Sequence, residues 1–155
     1  MRLNDGAEIV PLDTFTGYLL SDPRAADATV SDADNFSRIQ LLTWVAIEEL
    51  VTSAWNSAER VYGSLSPDFP LCEDFADWCA ALVAMAAHKA GLAVRPGFGR
   101  LIYTKNEKYT EGPFKGQHKR HSIDYACLAG GKMRYFEEQT GEWMDEPKDC
   151  LTMDE

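Results

Sequence analysis

The hydrophobic period of this chain changes once, at Gly91, and that switch constrains the fold more than any other feature. Before it, Phe36, Ile39, Thr43, Ala46, Ile47, Leu50 and Ala54 recur at helical spacing. The spacing predicts a long amphipathic helix from about Asp34 to near Gly63, with Asp34 or Ser31 as its cap. "SLSPDFP" then reads as a turn whose Ser66 and Pro67 prepare a second helix beginning between 67 and 72. In it Cys72, Phe75, Ala76, Cys79, Leu82, Val83 and Ala86 form one stripe, while Trp78, Ala81 and Met85 make the other side apolar too. A helix apolar nearly all round is expected to be central and buried, and Gly91 is expected to cap its C-terminus. After Gly91 come "LAVR", "GRLIYTK", "RHSIDYACLA" and "KMRYFEEQ", runs of β-formers separated by "PGFG", a polar loop around 105–117 and "GG". The last two predict a hairpin through Gly130 and Gly131. Helices followed by an antiparallel sheet make an α+β domain.

A chain of 155 residues is expected to be a single domain, 1–155. No run approaches the roughly 18 apolar residues of a membrane span. Asp5 and Glu8 interrupt the place where a signal peptide needs an apolar core, so a soluble, cytoplasmic protein is expected. The net charge of −10 argues against a nonspecific grip on nucleic acid and leaves a basic protein partner or a cation open. The four cysteines, without a secretory signal or a C-x-x-C pair, read as free thiols rather than disulfides or a zinc site. Residues 1–20 mix short apolar runs with Gly and Pro, and "SDPRAADATVSDADN" reads as an acidic surface loop. Its "DADN" lacks the Gly and the Glu that an EF-hand requires.

A thiol nucleophile needs a base, and usually a group that orients the base. Cys72 at a helix start, His121 at the beginning of a strand and the acids Glu137 and Glu138 on the partner strand supply these parts in order. "CEDFADWCAAL", "HSIDYACL" and "YFEEQTGEW" together resemble the papain/transglutaminase-like cysteine protease domain of the mushroom-agglutinin type and its phage-encoded relatives. The resemblance covers about residues 70–145, with Glu73 in place of an Asp and Glu138 in place of a Pro. It implies a papain/transglutaminase-like fold in which the N-terminal helices, a buried central one among them, pack on the C-terminal sheet. It implies a thiol hydrolase of peptidase or amidase type acting on a peptide or protein through an acyl-cysteine, with Cys72 as nucleophile, His121 as base and Glu137 as orienter. If phage-encoded, such a protein would work in the host cytoplasm. The resemblance also implies activation by calcium, with Glu73 and Asp74 as ligands. A bound cation would offset two carboxylates that otherwise oppose a thiolate.

The hairpin gives an independent handle on the orienter. A plain two-residue turn at Gly130 and Gly131 places Glu138 on the His121 face, whereas a bulge or a three-residue loop places Glu137 there. Each residue also has a plainer reading. Cys72 fits the apolar stripe as an inert core thiol, and Cys79, two turns on, is read as core. His118 and His121 in "HKRH" fit a solvated basic turn, and His88 fits a favourable charge at a helix C-terminus. Trp44, Trp55, Trp78 and Trp143 are read as core, and Trp143, after a turn, is placed to close over a cleft. The alternative function is a non-catalytic acidic binding or inhibitor protein on the same scaffold, engaging a basic host protein.

Overall fold

A computed structural model describes residues 5–21, 38–62 and 72–151. Strand β1 (Glu8–Pro11) leads directly into helix α1 (Leu12–Ser21), and β2 (Arg38–Leu41) pairs antiparallel with β1. Helices α2 (Trp44–Tyr62) and α3 (Cys72–Lys89) follow, then β3 (Phe98–Lys108), β4 (His118–Cys127), β5 (Met133–Glu137) and β6 (Glu142–Met144). These last four form an antiparallel sheet in sequential order. Among the described residues no helix is long and apolar enough to cross a membrane.

The sheet has two covered faces. Phe98, Ala126, Leu128 and Phe136 pack with α2 and α3 residues such as Leu50, Val51, Cys79 and Val83. Leu101, Tyr103, Ile123, Tyr125 and Tyr135 pack on the other side with Phe15 and Leu19 of α1 and Ile39 and Leu41 of β2. β4 lies between β3 and β5, so "SIDYACL" is buried without a break, as expected of a strand enclosed on both faces. The two-stranded sheet is tied to this body where Gln40 N–H donates to the Arg95 carbonyl and Ala129 N–H to the Leu42 carbonyl, both at 2.9 Å.

Several expectations require correction. The first long helix begins at Trp44, not near Asp34, because Arg38–Leu41 is spent on pairing with β1. Ile39 and Leu41 satisfy a strand period as readily as a helical one. Thr43, read as part of the stripe, is the cap instead: its Oγ1 accepts from Ala46 N–H at 3.4 Å and its carbonyl from Ile47 N–H at 3.0 Å. The N-terminal half is therefore not helical alone: α1 and the β1–β2 sheet cover the sheet face opposite α2 and α3. Nor is α3 buried all round. Cys79, Val83 and Ala87 face the core, while Trp78 is 44% and Met85 58% exposed. The expected caps Asp34 and Ser31, the acidic loop over 22–35 and the "SLSPDFP" turn lie outside the described residues.

The C-terminus of α3 follows its sequence signal. Gly91 has φ +93°, Leu92 N–H donates to the Ala87 carbonyl and Gly91 N–H to that of His88, both at 3.1 Å, which is the Schellman pattern. Neither Gly91 nor Gly17, exposed on α1, has an atom within 4 Å of where a Cβ would sit. Gly91→Ala is therefore expected to cost about 1–2 kcal/mol through the backbone alone, and Gly17→Ala to add about 0.5–1 kcal/mol. Denaturant unfolding of the two variants checks the opposite signs, and a neutral Gly91→Ala would refute the cap.

Candidate functional site

The loop between β4 and β5 sets the site. Cys127 faces Met133, and Leu128 N–H donates to the Lys132 carbonyl at 2.8 Å, which leaves three residues, Ala129, Gly130 and Gly131, in the turn. Gly130 and Gly131 have φ +86° and +85°, a region that favours glycine. In this register His121 and Glu137 lie on one face of the sheet with Tyr103, while Ser122, Asp124 and Phe136 lie on the face under α3.

His121 Nε2 lies 2.5 Å from Glu137 Oε2. The other carboxylate oxygen, Oε1, accepts from Gln139 N–H at 3.2 Å, and the Glu137 carbonyl accepts from Gly141 N–H at 2.8 Å. Both ends of Glu137 are thus held by the turn that ends β5. The Tyr103 ring stands edge-on to the imidazole, centroids 5.9 Å apart, with its hydroxyl donating to the Lys148 carbonyl at 2.9 Å. Nε2 being taken by Glu137, Nδ1 is the imidazole nitrogen left for a second partner.

That partner is Cys72. Along β4, Cys127 N–H points toward β3, to the Gly97 carbonyl, and Leu128 N–H points toward β5. By alternation Ser122 N–H also points to the β5 side, where the pairing ends at Asp124 and Phe136. The start of α3 occupies this open edge, and Cys72 bonds with the His121 side chain and with both the backbone and the hydroxyl of Ser122. The hydrogen bond to His121 is the main cause of a thiol pKa below its ordinary value; burial opposes it, and the Ser122 donors assist. Reciprocally, His121 rises to about 9, first through its bond to Cys72 and then through Glu137, against partial burial. Both shifts favour the same state, a thiolate beside an imidazolium, and the α3 N-terminus adds a favourable dipole.

The remaining expected residues are dispersed. Asp74 is exposed on α3, and the Glu73 side chain lies outside the described residues. Among the described residues, which do not include the Glu73 side chain, no three His, Cys, Asp or Glu gather to hold a metal. Cys79 is buried and its thiol is pushed far up by desolvation and by Asp124 and Glu138. His118 is in β4 rather than a turn, Nδ1 3.0 Å from the Asn106 carbonyl oxygen. Trp44 and Trp143 pack edge to face at 4.8 Å, and Trp55 Nε1 donates to the Glu138 carbonyl at 2.7 Å. Ser122 went unnoticed in the sequence, although the parity that selects Glu137 also sends the Ser122 N–H to the open edge.

No family model matches the chain, and no curated protein matches it. Solved structures that resemble it in fold include the following two. One, a PSL1a-E64 complex, has a TM-score of 0.63 at 16% identity over 93% of this chain and 48% of that one. The other, Polyporus squamosus lectin bound to the human-type influenza-binding epitope Neu5Aca2-6Galb1-4GlcNAc, has a TM-score of 0.52 at 15% identity over 76% of this chain and 39% of that one. This chain therefore spans less than half of either. These findings correct the sequence reading. The second neighbour is a lectin structure, and the papain/transglutaminase-like assignment gives way to an α+β fold, with three helices and two antiparallel sheets among the described residues, that resembles these chains. The thiol-protease function, its peptide or protein substrate and the acidic inhibitor of a basic host protein give way with it, since the ligand bound by the Polyporus squamosus lectin is a carbohydrate epitope.

Proposed function

We propose that Cys72 is a nucleophilic thiol whose Sγ adds to an electrophilic carbon of a small molecule: the S–C bond forms as that carbon's π bond or strained-ring bond opens, and the proton held on His121 passes to the atom that takes the electron pair. His121 holds the thiol proton and Glu137 fixes the imidazole. The observation that carries the reading is an imidazole engaged on both sides, by Glu137 at 2.5 Å and by the Cys72 side chain. Neither peptide hydrolysis nor a protein substrate is part of it. Ser122, by donating to the thiolate, holds sulfur charge where water is partly excluded.

Iodoacetamide at neutral pH is expected to label Cys72 roughly ten-fold or more faster than Cys150, the other half-buried thiol, because an ordinary thiol is only a few per cent ionised there. Cys79 and Cys127, both pushed up by burial, Cys127 to about 12, should stay unlabelled in the native protein. His121→Ala should abolish the preference for Cys72; equal slow labelling of Cys72 and Cys150 in the native chain would refute the site.

The pH range follows from the same pair. A histidine whose folded pKa is raised contributes stability that is complete below its unfolded value, about 6.5, and lost as pH rises through about 9. Nuclear magnetic resonance of the His121 ring should therefore show a midpoint near 9, lowered by Cys72→Ser and, to a smaller extent, by Glu137→Gln. A midpoint at the ordinary histidine value would remove the ion pair.

A carbohydrate ligand is the second reading, favoured by the sialylated epitope bound in the Polyporus squamosus lectin structure. Tyr109 and Phe114, ring centroids 5.9 Å apart on the β3–β4 loop, are exposed aromatic faces on which a sugar could stack. Calorimetry with that epitope should give heat that Phe114→Ala removes and Cys72→Ser leaves intact; no heat with the native chain ends this reading.

A further inference from the structure

Behind the Cys72 site lies a pair of acids that it does not use. Asp124 and Glu138 are each 0% exposed, and among the described residues no nitrogen or oxygen donor reaches any of their four carboxylate oxygens. Sheet parity puts both under the first turns of α3: Asp124 faces Phe136 across β4 and β5, and Glu138 comes two residues after Phe136. Two carboxylates can only accept, so neither can satisfy the other until one carries a proton. With a proton between them, one becomes a donor to the other, and a pair that would be two buried charges becomes one.

The groups around the pair offer no substitute for that proton. From α3, the Cys79 thiol is a weak donor to Asp124 and the smallest of the influences on it, while Asp77 adds negative charge there and Cys72 adds more at Glu138. From β3, Arg100 is the cross-strand neighbour of Asp124, but its Nη1 reaches Asp77 Oδ2 at 3.1 Å. Within the sheet, Glu137 repels Glu138 and His121 attracts it. From α2, Trp55 bonds the Glu138 carbonyl, not its carboxyl. Burial and mutual repulsion both favour the protonated form.

We propose that Asp124 and Glu138 share one proton, and that its loss sets the alkaline limit at which α3, and with it the Cys72 site, stays seated on the sheet. The first part stands on the buried pair alone; the second rests on the reading of Cys72 as the reactive thiol. The sign follows from linkage. The folded chain keeps a proton that the unfolded chain releases above about pH 4, so stability falls as pH rises. An amide at either position supplies a permanent donor in place of the proton.

Infrared spectroscopy of the native chain at neutral pH should show a protonated-carboxyl band that Glu138→Gln and Asp124→Asn each remove. The absence of the band in the native chain would overturn the shared proton, whatever the variants do. The fall in melting temperature from mildly acidic to alkaline pH should shrink by about half in each folded variant, the His121 contribution remaining. An unchanged fall overturns the role in stability. The preference of iodoacetamide for Cys72 over Cys150 should persist to higher pH in the variants than in the native chain. A band with the same alkaline limit in all chains overturns the control of the site. A band with no preference for Cys72 at any pH overturns the reactive-thiol reading and leaves the shared proton standing.

Discussion

The register between β4 and β5, fixed by the three-residue turn Ala129–Gly131, is the constraint on which the rest of the molecule depends. A side chain's face alternates with each residue, so a slip of one position would exchange Glu137 and Glu138. The acid beside His121 would then lie under α3, and the acid under α3 would face the imidazole. Two adjacent glutamates of identical chemistry are separated into a partly exposed partner of histidine and a sealed carboxyl by a hydrogen bond from Leu128 to Lys132.

The same register resolves the conflict between the helix start and its carboxylates. A thiol at a helix N-terminus is favoured as thiolate, and neighbouring carboxylates disfavour it. The balance is struck locally, by an imidazole and by Ser122, while Asp74 is exposed to screening solvent and Asp77 is paired with Arg100. The chain's large negative charge therefore says little about this one sulfur.

How much of this was legible in the sequence depended on how local each signal was. Gly91 is a local signal, and the C-terminus of α3 falls where the glycine places it. The "GG" hairpin was visible, but its turn length was not, since two and three residues suit two glycines equally; only the contact between Leu128 and Lys132 decides. The β2 strand was lost because Ile39 and Leu41 fit two periods, and the tie-breaker is pairing with β1, some thirty residues upstream in sequence. Trp78 and Met85 look like core by type and are exposed by position. The family assignment leaned on short motifs and was overturned by whole-fold similarity to solved structures, a lectin among them. The buried state of Asp124 and Glu138 could not be read at all, because burial of an acid depends on what packs over it.

The ending of β5 at Glu137 has one more consequence. Among the described residues it leaves the outer backbone of β4 without a partner strand beyond Asp124, an edge of the kind along which sheets of different molecules join. The start of α3 closes that edge by bringing Cys72 to the Ser122 N–H that a longer β5 would have engaged, and the Glu138 carbonyl that would have met it turns to Trp55 instead. The Cys72 sulfur thus also covers a strand edge, so a chain whose first α3 turn is pulled away would bare the Ser122 N–H as it separates Cys72 from His121.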